Sequence, residues 1–305
     1  TSTTIMNYRI NHAYVLKSIK KNINLKPKLA NLKNKTFIVS GGSRGIGYNI
    51  AEKLALAGAN VTIAGKTTEP HPKLENTIYS AAEQIVKKTN QPNCLPVVCD
   101  VRKNQDIDEC IEKTLRVFGG IDGVILNASA LCLNNTLNQK EKEVELMSAV
   151  NINGTFMMGK KCLQHIQKSS HPHILLISPP LAMIENSDWW TNHLYYSLSK
   201  YNMSLMGKYW NKEFQHVGVN TLWPRTTINT APVKNLLGGD EMVNISRTAD
   251  IMGDAAKHIF MSDPLLCNGN NFIDDEVLAS LDKDVEKYKV DPNINEKELM
   301  PDFFC

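Results

Sequence analysis

The stretch Thr36-Phe37-Ile38-Val39-Ser40-Gly41-Gly42-Ser43-Arg44-Gly45-Ile46-Gly47 decides the fold. A short apolar, β-branched run leads into a glycine cluster, and helix formers follow from Ile50 to Ala57 before Gly58. The order is strand, tight turn, helix. Glycine reaches φ > 0 and lets a ligand approach the backbone with no Cβ in the way. The helix N-terminus that follows offers unpaired N–H groups and the positive end of a dipole, which suits a phosphate. The spacing Gly41-x-x-x-Gly45-x-Gly47 in this context predicts a dinucleotide-binding turn, with Ser43, Arg44 and Ile46 beside the glycines.

Outward from that turn, strands and helices alternate. Strands are expected at Asn60–Ala64, Leu95–Asp100, Gly123–Leu126, His173–Ser178, Val217–Leu222 and Asn271–Ile273. Helices are expected at Asn76–Lys88, Asp106–Phe118, Lys140–Ala149, Ile152–Gln167, Tyr196–Gln215 and Ala249–Phe260. This alternation predicts an α/β fold: a doubly wound, parallel, seven-stranded Rossmann sheet with helices on both faces, in a single domain. The domain is expected over 34–275. Residues 276–305 read as a polar tail wrapping the surface on or near the same domain.

Residues 1–33 form a separate extension. The first 35 residues carry eight Lys/Arg, and the first carboxylate in the chain is Glu52. An acid-poor basic leader reads either as a solvated extension or as an organelle transit peptide. Val15, Leu16 and Ile19 share one face of a short helix around Tyr14–Lys20. Elsewhere the composition is ordinary: 42% hydrophobic, 21% charged, net charge +3. That charge is too small to argue for nucleic acid, and no apolar run is long enough to span a bilayer. The seven cysteines are scattered without a Cys-x-x-Cys, which fits reduced thiols in an intracellular compartment, an organelle such as the mitochondrion included. His171-Pro172-His173 has no further ligands nearby in sequence, so no metal site is expected.

In such a sheet ligands bind at the carboxyl ends of the strands. After the second strand comes Gly65-Lys66-Thr67-Thr68, with no acid to hold an adenosine 2′-hydroxyl. Lys66 and Arg44 could instead pair a 2′-phosphate, which favours NADP(H) over NAD(H). Asp100 and Val101, at the end of the third strand, fall beside the adenine, although Asp100 also suits a turn or a cap. Asn127 ends the fourth strand near the ribose. Tyr196 and Lys200, four apart on a helix, share a face. A phenol with pKa ≈ 10 needs roughly 4 kcal/mol of differential stabilisation to ionise near neutrality, and an adjacent ammonium contributes to it. Tyr195 points about 100° away and is the uncommitted tyrosine.

In this combination and order the chain resembles the classical short-chain dehydrogenase/reductase family. The matching residues are Gly41, Gly45 and Gly47 (with Ser40 for the usual Thr), Asp100, Asn127, Asn151 within Val150–Gly154, and Tyr196 with Lys200. The likeness extends from about Asn34 to Ile273. It implies Tyr196 as general acid/base, Lys200 holding the nicotinamide ribose and tuning the phenol, and Asn151 supporting a proton-relay water through a broken helix. Pro224 falls near the nicotinamide amide. Homodimers or homotetramers packing the Asn151 and Tyr196 helices are also implied. The stretches Ala64–Leu74, His173–Pro180, Leu222–Thr226 and Pro301–Phe304 resemble a hydroxysteroid dehydrogenase-like branch whose members commonly carry a C-terminal sterol-carrier domain. The chain ends where such a domain would be joined, so lipid transfer by it is not expected.

Two departures stand out. Pro179 occupies the place of the family's catalytic serine, leaving Ser178 one position early as the candidate hydroxyl. Arg225 stands where a glycine usually follows Pro224. Leu181–Leu194, holding Met183, Trp189, Trp190 and His193, and Thr226–Gly239, holding Val233, Leu236 and Leu237, form either an apolar substrate wall or core contacts. The expected function is NADP(H)-dependent hydride transfer to or from an apolar, lipid-like carbonyl or alcohol. The alternatives are enoyl-thioester reduction and an NADP(H)-binding sensor with little turnover.

Overall fold

The computed structural model describes residues 30–72, 74, 76–184 and 189–305. The expected helix around Tyr14–Lys20 lies outside them. Seven parallel strands run in the order β3-β2-β1-β4-β5-β6-β7: β1 Thr36–Ser40, β2 Asn60–Gly65, β3 Cys94–Val98, β4 Gly123–Leu126, β5 His173–Ile177, β6 Gly218–Trp223 and β7 Asn271–Ile273. Between them lie α1 Gly45–Leu56, α2 Ile78–Thr89, α3 Asn104–Phe118, α4 Glu141–Met147, α5 Thr155–Ile166, α6 Trp189–Asn192, α7 Leu194–Glu213, α8 Gly239–Asn244 and α9 Asp250–Met261. The helix α10, Asp274–Ala279, follows β7 directly. The order reverses between β1 and β4, the switch point at which a ligand crevice opens.

Side chains alternate across the sheet as a period of two requires. Phe37, Val39, Leu175 and Ile177 pack on one face with Ile50, Leu54, Ile251 and Phe260 from α1 and α9. Ile38, Ile174 and Leu176 face the other way, toward Ile107, Met158, Cys162 and Trp210 from α3, α5 and α7. Both layers are apolar, which explains the unbroken hydrophobic runs of these strands. Pro96 sits within β3, an edge strand, where a missing N–H leaves no ladder bond unmade in the sheet interior.

Element ends follow local chemistry. The second helix begins at Ile78, two residues later than expected, because Thr77 caps it: its Oγ1 accepts from Ser80 N (3.1 Å) and Ser80 Oγ accepts from Thr77 N (3.1 Å). The expected pair of helices at 140–167 is one continuous path. Its middle, Ser148–Gly154, is a π-helical turn holding Asn151, and α5 begins only at Thr155. Such turns recur at functional sites.

The tail departs from the expected surface wrap. Val277, Leu278, Tyr288, Leu299 and Phe304 are buried, and the last residues enter the core. No described helix is long and apolar enough to cross a membrane.

Candidate active site

At the carboxyl ends of the strands lies a cleft of about 560 Å³. Gly41, Ser43, Arg44, Gly45, Ile46 and Gly47 line one end, together with Lys66, Asp100, Val101 and Asn127. Gly41 (φ +67°) and Gly45 (φ +53°) are left-handed, as the turn demands. Gly47 is helical, but a Cβ there would stand 2.4 Å from Gly41 O and 2.5 Å from Asn127 Nδ2. The Asn127 amide donates to Ser40 O (3.0 Å) and Gly41 O (3.1 Å), and Ser40 Oγ accepts from the N–H groups of Asn127 and Ala128 (3.0 and 3.1 Å). The glycine turn is thus laced to the end of β4 before any ligand arrives.

Charge around that end is arranged by neighbours in sequence. Arg44 Nη2 donates to Asn76 O (2.9 Å), joining the glycine turn to the start of α2. Lys66 is exposed at the rim. The Asp100 carboxylate accepts from Arg102 Nε (2.9 and 3.0 Å), and this hydrogen bonding holds it down at about 2. Arg102 escaped the sequence reading, although a carboxylate two residues before a guanidinium is a signal for a local pair.

The other end is built from distant segments. Tyr196 and Lys200 on α7 both line the cleft. Lys200 Nζ donates to Ile177 O (2.6 Å) and lies 5.2 Å from the centre of the Trp223 indole. Burial pushes its ammonium down to about 7 and pushes the Tyr196 phenol above its ordinary value. The Tyr195 hydroxyl instead meets Ser148 Oγ (2.6 Å), tying α7 to the π turn. Asn151 is fully buried there. Its Nδ2 donates to Ala130 O (2.9 Å) and Ser199 Oγ (2.8 Å), and its Oδ1 accepts from Ala130 N (2.7 Å). It therefore fastens the loop after β4 to α7, while its neighbour Val150 lines the cleft.

Ser178 is not brought in. It is fully buried, does not line the cleft, and its Oγ has no hydrogen-bond partner among the described residues. The two candidate substrate walls also part company. Val233 and Leu237 line the cleft, while Leu236 is exposed. Met183 and Trp189 are buried outside it, with Trp189 stacked on Phe303 at 3.9 Å and His193 4.0 Å from Trp189. His171 and His173 bond the carbonyls of Phe260 (2.5 Å) and Ser262 (3.2 Å).

The largest omission from the sequence reading is the tail. Asp302 and Phe303 line the cleft beside Tyr196, Lys200, Trp223 and Pro224. Arg225 explains their arrival. Its side chain pairs with Asp275 (2.6 Å) and Glu276 (2.5 Å), its N–H donates to Asp274 Oδ1 (2.9 Å), and its carbonyl accepts from Asp302 N (3.0 Å). Thr226 and Pro301 form a bridge next to it. Fully buried Arg247 pairs with Glu296 and lies 3.7 Å from Asp275. A glycine at 225 would supply none of these side-chain bonds.

A turn that excludes side chains at Gly47, donors at the start of α1, and a cleft continuing past Lys66 and Asp100 to Tyr196 fit a dinucleotide of the nicotinamide type. The short chain dehydrogenase family profile matches residues 35–236. The chain belongs to that family. Family members use a nicotinamide cofactor. Among similar relatives, hydroxysteroid dehydrogenase-like protein 2 of Homo sapiens is 42% identical over 279 residues, 91% of this chain and 65% of that one. The Mus musculus counterpart is 43% identical over 91% of this chain and 55% of its own. The chain thus spans about 65% and 55%, respectively, of these relatives' lengths. A crystal structure of a short chain dehydrogenase from Mycobacterium thermoresistibile superposes with a TM-score of 0.80 at 38% identity, covering 90% of this chain and 95% of that one. A chain from Xanthomonas campestris gives 0.83 at 39% identity, covering 90% and 99%.

Proposed function

We propose that this short-chain dehydrogenase is an NADP(H)-dependent oxidoreductase that moves a hydride between the coenzyme and an apolar carbonyl or hydroxyl compound. The observation that carries the reading is the meeting, in one cleft, of the glycine turn with Tyr196 and Lys200. When bound, the nicotinamide supplies or accepts the hydride. Tyr196 delivers its phenolic proton to the substrate oxygen during reduction and removes it during oxidation. Lys200, anchored on Ile177 O, offsets the cost of a buried phenolate. Asn151 acts at a distance, holding the π turn and α7 in register. Ser178 takes no part in this scheme.

NADP(H) preference rests on Lys66 and Arg44 at the adenosine end and on Asp100, whose charge is already engaged by Arg102. An apolar substrate is supported by Leu131, Leu146, Val150, Val233 and Leu237 in the cleft wall. A homo-oligomer is supported by exposed Leu198, Leu205 and Tyr209 on α7, with Phe156 on neighbouring α5. The burial of Ser178 gives a specific reason to keep enoyl-thioester reduction as a second reading, since its geometry need not include that hydroxyl.

The test is a turnover screen with NADPH on 2-decanone, a 3-ketosteroid, 9,10-phenanthrenequinone and trans-2-decenoyl-coenzyme A. Tyr196→Phe is expected to lower the rate on a carbonyl substrate about 10²–10⁴-fold with NADPH affinity unchanged. Turnover confined to the enoyl thioester would transfer the assignment to the second reading. Tight NADPH binding without turnover on any of the four would leave a sensor.

A further inference from the structure

Asp302 is an ionisable group of the cleft for which the scheme above has no use. Asp302 reaches the reaction end from a segment more than 100 residues beyond Tyr196, and its position is fixed from several sides. Its N–H donates to Arg225 O (3.0 Å), its carbonyl accepts from Cys305 N (2.9 Å), and its Oδ1 accepts from Phe303 N (2.8 Å). On either side, Phe303 stacks on Trp189, and Phe304 packs against the rings of Tyr196, Tyr201 and Trp223 at centroid distances of 6.5, 5.2 and 5.6 Å. Such anchoring is more than a loose tail needs in order to cover a surface.

Among the described residues that line the cleft, none places a second free hydroxyl at the reaction end. Ser178 is fully buried and does not line the cleft. The Ser129 hydroxyl is turned to Asn151 Oδ1 (3.2 Å), and Thr230 donates to Ile228 O (3.2 Å) close to Gly45, at the phosphate end. A carbonyl oxygen that gains negative charge during hydride transfer therefore meets the Tyr196 phenol and, on the wall formed by the tail, the Asp302 carboxyl. An ionised carboxylate there would repel the growing charge. A neutral carboxyl would donate to it, as preorganised donors do.

We propose that Asp302 works in its neutral form as the second hydrogen-bond donor to the substrate oxygen, making the Pro301–Phe304 segment part of the active centre. This rests on the carbonyl reading of the proposed function. Oδ1 stays on Phe303 N–H, and Oδ2 carries the proton and donates it. No bond to that proton breaks: the proton transferred during reduction comes from Tyr196, and Asp302 keeps its own. The surroundings favour the neutral form. Burial, with Asp274 nearby, pushes the Asp302 carboxyl up to about 7, against the opposing pull of the Phe303 N–H, the Trp223 indole N–H and Lys200. Asp275, Arg225, Cys305, Tyr196 and Tyr201 also stand around this segment.

The test compares Asp302→Ala with Asp302→Asn in the full chain, on whichever carbonyl of the four-compound screen the parent reduces. Asp302→Ala is expected to lower kcat about 10²–10³-fold with KM and NADPH Kd little changed. Asp302→Asn, whose amide still donates, is expected to recover most of that loss. An infrared difference spectrum of the NADPH complex at pH 6 is expected to show a protonated carboxyl band that disappears in Asp302→Asn. If Asp302→Asn is as slow as Asp302→Ala, the residue acts as a counter-ion of Lys200 and the donor role is overturned. Unchanged rates in both variants overturn it too, as does a weakened NADPH Kd in both, which would mark a purely structural tail. If the parent turns over no carbonyl, the carbonyl reading has failed. The infrared band then judges the neutral carboxyl separately, and its absence overturns this proposal.

Discussion

The two ends of the cleft are made in different ways. The end carrying Gly41, Gly45 and Gly47 is backbone held by short local side chains: a turn, the first turn of α1, and an asparagine amide clasping two carbonyls within 3.1 Å. The end carrying Tyr196 and Lys200 is side chain held by side chain. Aromatic rings from four separated segments (Trp189, Tyr196 and Tyr201, Trp223, Phe303 and Phe304) pack together there. The first kind tolerates almost no added atom but needs little help from afar. The second tolerates variation in shape but depends on residues 301–305 arriving correctly. Binding and chemistry should therefore fail separately when each end is damaged.

The largest stability effect that would expose this difference is at Phe304. It is buried at 3% exposure among Tyr196, Tyr201 and Trp223. Phe304→Ala is expected to cost about 3 kcal/mol, the lower end for losing a buried phenylalanine, because the surrounding rings can close over part of the cavity. Urea unfolding gives the number. Turnover should fall with it, whereas NADPH titration should move little, since the phosphate end is untouched. A large loss of NADPH affinity in Phe304→Ala would break the separation.

How much of this was legible in the sequence follows from the same difference. The glycine turn was readable because its chemistry is local: twelve consecutive residues specify a strand, a left-handed turn and a helix start. The seven strands were readable because burial on both faces leaves unbroken apolar runs. Tyr196 and Lys200 were readable through helical spacing. Asp302 was not. It lies more than 100 residues from Tyr196 in a segment whose composition is polar, and its approach depends on Arg225 gripping α10 through Asp275 and Glu276. An arginine in place of a glycine was visible as a departure, but its partners were not. Ser178 was expected in the site but is buried and does not line the cleft, and one-dimensional spacing cannot report which side a hydroxyl ends on. The π turn around Asn151 keeps apolar positions close to helical spacing, so periodicity divided it into two helices.

At the phosphate end the counterpart of Phe304→Ala is Gly47→Ala. The new methyl would lie 2.4 Å from Gly41 O, a backbone atom that cannot swing away as a flexible side chain can. Relief requires moving the Gly41 peptide or displacing the Asn127 amide, and overpacking of this kind costs about 1–3 kcal/mol. Here the expected order of effects is reversed. NADPH affinity should drop at least about tenfold, because in the proposed binding mode the displaced peptide would be the floor beneath the phosphates, while the ring cluster at the other end stays packed. Near-ultraviolet circular dichroism, dominated by those tryptophans and tyrosines, should remain that of the parent. A Gly47→Ala protein that binds NADPH like the parent would mean that the cleft floor is more pliable than its contacts imply.

The smallest effect concerns coenzyme choice, and it sharpens the comparison within the phosphate end itself. Lys66 follows β2 directly, is exposed, and lines the cleft next to Thr67, so a 2′-phosphate would meet it in water rather than in a dry pocket. A charge-assisted hydrogen bond is worth roughly 1.5–3 kcal/mol, and solvent screening places this one at the lower limit. Lys66→Glu replaces that attraction with repulsion of the phosphate and offers a carboxylate to a free 2′-hydroxyl. The ratio of NADPH to NADH affinity should therefore fall about tenfold or somewhat more, with the change shrinking as salt is raised. Arg44 should retain part of the preference, since its guanidinium is braced on Asn76 O rather than free to follow Lys66. Parallel fluorescence titrations of parent and variant with both coenzymes, at low and high salt, measure the ratio. An unchanged ratio would place the discrimination on Arg44 and the backbone, making even coenzyme choice at this end a property of the turn.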